Sequence, residues 1–182
     1  MSYRPITDFW LLTRAKLKNG QKYYGAYLGG FPERARVLIG VGMTESMLHA
    51  CGGKAWAYPY ARGFGPLDKT ADIDSEVNPD FICDLTESFP SCPGSPDGLW
   101  PGILIDPPYS EADSKNYRIQ SYPNPNQLVS NAVNAVQIGA KIGIIHYVIP
   151  RCPKNAKFIA LVGIGCGFNN RIRVFSVFER IS

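Results

Sequence analysis

Apolar positions in this chain recur at two periods, and the change from one to the other marks the elements. Phe9-Trp10-Leu11-Leu12 is a short apolar run, followed by the basic stretch Arg14–Lys22 with its turn signal Asn19-Gly20. Pro32 opens a helical pattern with Ala35, Leu38 and Ile39 on one face. Ser46–Cys51 reads as a strand ending at Gly52-Gly53, and residues 54–70, broken by Pro59, Gly63, Gly65 and Pro66, as an irregular loop. Ala71–Asp74 and Phe81–Asp84 are short strands, and after the proline-rich loop 90–101 the run Gly102–Ile105 is a buried one. Ser110–Asn126 is polar, with room for one helical turn at its start. Gln127–Ile138 has the best helical periodicity, with Leu128, Ala132, Val133 and Val136 on one face and Gly139 as its stop. Lys141–Ile149 is apolar enough for a strand covered on both faces. Phe158–Cys166 and Arg171–Phe178 alternate as an antiparallel pair joined by a turn over 167–170.

Strand, loop, helix, strand and hairpin in that order predict an α/β fold whose sheet is mostly parallel and closes on an antiparallel pair. The 182 residues suit one domain, 1–182, with 1–44 as an N-terminal extension and no separate target-recognition domain.

Asp106-Pro107-Pro108-Tyr109 stands directly behind the Gly102–Ile105 strand. Two prolines there forbid helix and ladder alike, so the chain leaves the sheet in a stiff, extended turn. A carboxylate and an aromatic ring are thereby fixed at the carboxyl end of a strand, where open α/β sheets place their ligands. Such a pair suits work on a planar, amino-bearing ring. The ring stacks on Tyr109 while Asp106 and the Pro107 carbonyl accept the amino hydrogens, leaving the nitrogen lone pair free to attack an electrophilic methyl group. The plainer reading is that the prolines end a strand and Asp106 caps a turn.

The tetrapeptide resembles the catalytic motif of the S-adenosylmethionine-dependent amino-methyltransferases, above all the adenine-N6 DNA enzymes. Cytosine-N4 enzymes and some guanine-N2 RNA enzymes carry related versions. The resemblance covers residues 45–182 in outline and implies a Rossmann-like class I methyltransferase sheet with S-adenosyl-L-methionine as cofactor. It implies catalytic roles for Asp106, Pro107, Pro108 and Tyr109. The trimmed layout is similar to that of small methyltransferases of bacteriophages and prophages.

A cofactor with an adenosine and a sulfonium needs close backbone approach, an acid for the ribose hydroxyls and a polar partner for adenine. Gly52 and Gly53 can supply the first, although His49-Ala50-Cys51-Gly52-Gly53 stands where the family has G-x-G. Asp72-Ile73-Asp74 resembles the family's acid-apolar-Asp step, whose first acid bonds the ribose diol through charge-assisted hydrogen bonds. Asp74 has the alternative of capping the turn through Asn78-Pro79. Asp84 matches the acid that meets the adenine amino group, and each of these can also be a solvated strand-end aspartate. His49 and Cys51 are placed beside the same cleft. Tyr24, in Lys22-Tyr23-Tyr24-Gly25, resembles an element laid over the methionine end in some DNA methyltransferases. The family's first crossover helix, between Gly53 and Asp72, is expected to be degenerate.

Five cysteines without a C-x-x-C pair read as reduced thiols in a cytoplasmic protein, with no metal site, and no apolar stretch approaches the ~20 residues of a membrane span. The net charge of +4 is unevenly spread: residues 1–36 hold seven Lys/Arg and residues 141–182 hold seven, whereas 68–97 hold eight Asp/Glu. Basic ends flanking the Asp106 face would meet phosphates; dispersed, they are a solvated surface. His146, late in its strand, is either a core residue or a wall of the site, and Asn169, Asn170 and Arg171 form a hairpin tip that can reach a base or a phosphate. The expected partner is nucleic acid, DNA in preference to RNA, with specificity supplied by a protein partner or a homo-oligomer. The rival reading is a non-catalytic nucleic-acid- or partner-binding protein that keeps the fold without the cofactor.

Overall fold

The computed structural model describes residues 4–13, 27–55, 63–116, 122–166 and 169–182. Its strands are β1 (Ile6–Leu12), β2 (Leu48–Ala50), β3 (Lys69–Asp72), β4 (Phe81–Ile82), β5 (Trp100–Ile105), β6 (Val136–His146), β7 (Ala156–Cys166) and β8 (Asn169–Arg180). Its α-helices are α1 (Phe31–Ile39), α2 (Glu111–Asn116) and α3 (Pro125–Asn134). The strands form one sheet in the order β1-β7-β8-β6-β5-β2-β3-β4. All neighbours are parallel except β8, which runs antiparallel to both β6 and β7.

From β2 the chain builds outward to β3 and β4 on one side, then returns to place β5 and β6 on the other. Between β2 and β5 the order therefore reverses, and the crevice beyond their carboxyl ends is where such sheets bind ligands. Asp106 and the Cys51-Gly52-Gly53 turn both lie at that edge.

Each face of the sheet is covered by a helix that the hydrophobic pattern places. On one face Phe31, Ala35 and Ile39 of α1 pack with Leu104, Ile145, Phe175 and Val177. Two strand glycines let α1 come this close: a Cβ on Gly102 would sit 2.7 Å from Ile39 Cγ2, and one on Gly143 would sit 3.2 Å from Ile39 Cδ1. On the other face Leu128, Val129, Ala132 and Val133 of α3 meet Ile103, Ile105, Ile142, Ile144 and Phe178. Asn124 caps α3 by accepting the Asn126 amide at 2.9 Å, and Pro125 occupies its first turn. Within 1–44, β1 forms the sheet edge beside β7, burying Trp10 and Leu12, while α1 covers the face described above.

Several boundaries differ from the periodicity. Helix α3 stops at Asn134, and Val136–Gly139, expected to finish it, already belong to β6. The β-branched Val136 and Ile138 suit a strand as well as a helix. Pairing decides: Trp100 lies opposite Val136, and the next pair is Gly102 with Lys141, so four residues face the single Pro101. Proline has no amide to give to the ladder, and Gly139 at φ +85° turns the resulting bulge instead of ending a helix. At its other end β6 stops at His146, leaving Val148 and Ile149 exposed. The β7–β8 hairpin closes at Cys166 and Asn169, so the loop is two residues shorter than expected. Lys69 and Thr70, expected in a loop, open β3; residues 63–68 are turns, and 56–62 lie outside the described residues.

Candidate functional site

The Asp106 amide donates to the Ala50 carbonyl at 3.1 Å, so the motif stays tied to the end of β2 as it leaves β5. Pro107 and Pro108 are buried, and Asp106 is half-buried at the crevice. The Tyr109 hydroxyl donates to Asp106 Oδ1 at 2.5 Å. Burial pushes the Asp106 carboxyl from 3.8 up to about 6, against the Tyr109 hydrogen bond and the positive charge of Arg173. A carboxyl-carbon NMR titration is expected to place the Asp106 midpoint near 6. Tyr109→Phe removes a bond that favours the ionised form, so the midpoint moves upward; a midpoint near 4 in both proteins contradicts the assignment.

Aromatic rings wall this position. His146 meets Tyr109 edge-on at 5.6 Å, and the Tyr147 ring lies 4.8 Å from that of Tyr109. The Val148 amide donates to His146 Nδ1 at 3.1 Å, leaving Nε2 to carry the ring proton, 2.8 Å from the Tyr122 hydroxyl. Burial pushes His146 down to about 4, against the Pro108 carbonyl and Asp113, so at neutral pH it is an uncharged wall.

On the β2–β3 side the turn is tightly built. Cys51 (φ +53°) and Gly53 (φ +51°) both take the left-handed conformation, unusual for a cysteine. The Gly53 amide donates to Asp72 Oδ2 and the Asp74 amide to Asp72 Oδ1, each at 3.0 Å. Asp72 thus joins the glycine turn to the end of β3, and burial raises its pKa against those two amides. Asp74 takes the capping alternative: it accepts the Glu76 amide at 2.9 Å and starts the short 3₁₀ turn Ser75–Val77. Asp84 Oδ1 accepts both the amide (2.8 Å) and the hydroxyl (2.6 Å) of Thr86. The Cys51 thiol is pushed well up by burial and then by Asp72, Asp106, Cys83 and Asp84. Backbone bonds tie the strand ends together: Cys51 N–H to the Ala71 carbonyl at 2.8 Å and Cys83 N–H to the Asp72 carbonyl at 3.1 Å. Asp72, Asp84 and Asp106 therefore converge beyond the ends of successive strands, around Cys51.

His49 is wholly enclosed, so it supports the site from below. Its ring stacks on Phe64 at 3.8 Å and 12°, Nε2 lies 3.2 Å from Asp68 Oδ2, and Nδ1 lies 3.4 Å from the Tyr27 hydroxyl. Burial lowers its pKa, so the neutral ring donates from Nε2 to Asp68 and accepts from Tyr27 at Nδ1. Tyr27 was not singled out in the sequence, yet it is buried beside the site: after burial, Asp106, Cys51, Asp68 and Asp72 raise its pKa. Tyr24 lies outside the described residues. Arg173 was also missed; its signal is the Arg171/Arg173 alternation in a strand otherwise rich in apolar residues.

Strand order, the reversed β8 and the crevice at the β2/β5 edge define a Rossmann-like class I methyltransferase fold. TrmN from Thermus thermophilus superposes with a TM-score of 0.60 at 14% identity, over 85% of this chain and 49% of that one. HI0767 from Haemophilus influenzae, a proposed methylase, gives 0.52 at 12% identity over 94% and 99% of the two chains. SMU.1697c from Streptococcus mutans, a proposed methyltransferase in complex with SAH, gives 0.50 at 8% identity over 82% and 96%. At these identities the likeness establishes the fold, and the chain spans about half the length of TrmN. No family model and no curated protein matches the sequence. Among the described residues no helix is long and apolar enough to cross a membrane.

Proposed function

We propose that this protein is an S-adenosylmethionine-dependent methyltransferase acting on the exocyclic amino group of a nucleic-acid base, adenine N6 in DNA being the preferred target. One observation carries the reading: at the topological switch point a carboxylate, pushed up to about 6 by burial, is bonded by Tyr109 and walled by aromatic rings. The cofactor, when bound, supplies an electrophilic methyl group on a sulfonium. Asp106 and the Pro107 carbonyl accept the two amino hydrogens, which aims the nitrogen lone pair away from them and toward the cofactor side of the crevice. Ionised at neutral pH, Asp106 is also a proton acceptor for the amine as it becomes cationic. A base within a duplex cannot reach this pocket, so the target is extruded or single-stranded. RNA, and cytosine N4 or guanine N2, are the alternatives within the same chemistry. A separate partner or a second copy would supply sequence specificity.

Asp72 is the ribose acid in this reading. Its oxygens accept the Gly53 and Asp74 amides and keep acceptor capacity for a ribose hydroxyl. Asp84 is the candidate for the adenine amino group. S-adenosylhomocysteine is expected to raise Tm, as any ligand selective for the folded state does. Asp72→Ala abolishes that rise, whereas Asp74→Ala costs only the cap, about 1 kcal/mol, and leaves the rise intact. Absence of any shift at millimolar ligand sinks the cofactor reading; loss in Asp74→Ala alone transfers the ribose role to Asp74.

A further inference from the structure

Strand β8 carries Arg171 and Arg173, two residues apart and so on one face of the sheet. Arg173 Cζ lies 5.1 Å from the Tyr109 ring centroid and Arg171 Cζ lies 5.7 Å from that of Tyr147. With the two tyrosine rings 4.8 Å apart, the pocket wall runs guanidinium, ring, ring, guanidinium.

Arg173 differs in kind from a structural arginine of this fold. Arg36 also leaves its Nε unpartnered, but its two Nη atoms donate to Gly63 O, Asp68, Gly42 O and Glu45 O. Arg173 Nε is buried without a partner, and its Nη atoms donate to no acceptor among the described residues. Leaving a buried donor of a charged group unmet costs about 1–3 kcal/mol, so the position calls for a reason. Burial opposes the charge, but the acidic groups around it outweigh burial, Asp106 being the one ionised at neutral pH, so the guanidinium stays positive. A guanidinium held over a ring with its Nη donors unmet fits an oxyanion, above all a phosphate, which it takes through two parallel hydrogen bonds.

We propose that Arg173 is the phosphate clamp of the target site, binding a phosphate of the nucleotide to be methylated while it stays over the Tyr109 ring. The proposal rests on the nucleic-acid reading above and names the group that distinguishes a nucleotide from a free nucleoside. It also explains why a cation stands beside Asp106 without closing an ion pair: its donors are kept for the ligand.

The test is calorimetric titration of the full chain, with and without S-adenosylhomocysteine. The probes are the single-stranded trinucleotide d(TpApT) and the same trinucleotide with uncharged methylphosphonate links. The wild type is expected to prefer the charged probe by about tenfold or more, one charge-assisted contact's worth. Arg173→Gln, or Arg173→Met should the first fold poorly, reduces that preference to less than about threefold. It also flattens the salt dependence by about 0.7 in log–log slope, the value for one phosphate on a single strand. Unchanged S-adenosylhomocysteine affinity shows that the pocket is intact in either variant. Full charge preference in a folded variant overturns the clamp, as does a wild type indifferent to charge. Failure of S-adenosylhomocysteine to bind strikes the cofactor reading alone, because the charge preference is read without it too.

Discussion

Asp106→Ala is expected to slow methyl transfer to an adenine-containing oligonucleotide by about 10²- to 10³-fold, the cost of removing one preorganised polar partner of a transition state. S-adenosylhomocysteine affinity should change little, because Asp106 contacts the amine and the loss belongs to the transfer step. Asp106→Asn separates charge from geometry: it keeps an acceptor oxygen for the amine but has no ionised form. The same position carries a stability signature of unusual sign. The folded pKa of Asp106 is raised above the unfolded value, so its contribution is fully present below 3.8 and is lost as pH rises through about 6. The rise from 3.8 to about 6 corresponds to about 3 kcal/mol at most, reduced by water in the half-open crevice. Asp106→Asn should therefore raise Tm at pH 7.5 and leave it unchanged near pH 4, a pattern scanning calorimetry resolves. Equal stability at both pH values would remove the argument that Asp106 is held ionised at a cost.

Asp68→Ala is expected to lower unfolding free energy by about 3–5 kcal/mol, the cost of leaving a buried charge unpaired. The Asp68 and Arg36 side chains are 1% and 4% exposed and meet at 2.6 Å. Asp68 also accepts the Met47 amide at 2.9 Å, the Gly65 amide at 2.6 Å and the His49 ring at 3.2 Å. One carboxylate thus fastens turn 63–68 and α1 to the start of β2 and to His49, which in turn meets Tyr27. Burial acts to raise the Asp68 pKa, but His49, Arg36 and the Gly65 amide together hold it below the usual carboxylate value. Its stabilisation is present above 3.8 and is lost as pH falls through the lower folded value. His49, buried neutral with a lowered pKa, adds stability above 6.5 that is lost as pH falls through its folded value. Both favour acid unfolding, opposite in sign to Asp106. Urea titration of Asp68→Ala checks the magnitude; a loss under 1 kcal/mol would show that the turn does not depend on this pair.

The local geometry of the candidate site was legible where it rests on neighbouring residues. A buried run followed by Asp106-Pro107-Pro108-Tyr109 fixes a strand end by backbone sterics alone, and the alternation over 158–178 fixes the hairpin. Asp72 and Asp84 could be located because one ends a short strand and the other lies two residues beyond one. Val136–Gly139 could not, since their residues suit both periods and only pairing with Trp100 decides between them. The Arg36–Asp68–His49 network spans separations of 32 and 19 residues, and no local pattern announces a buried ion pair. Tyr27 lies at the site because that network places it there. Arg173 was hidden because a charged residue in an alternating strand reads as solvent-facing, whereas here it lies over the Tyr109 ring.

The most direct measurement is transfer of labelled methyl from S-adenosylmethionine to single-stranded oligonucleotides of matched length, with and without adenine, in wild type and Asp106→Ala. The account predicts label in adenine-containing DNA, recovered as N6-methyladenine and lost in the variant. Label in adenine-free strands would move the target to cytosine N4 or guanine N2 while keeping the mechanism. Equal incorporation by Asp106→Ala, or none into any DNA or RNA by a wild type that binds S-adenosylhomocysteine, would contradict the central claim.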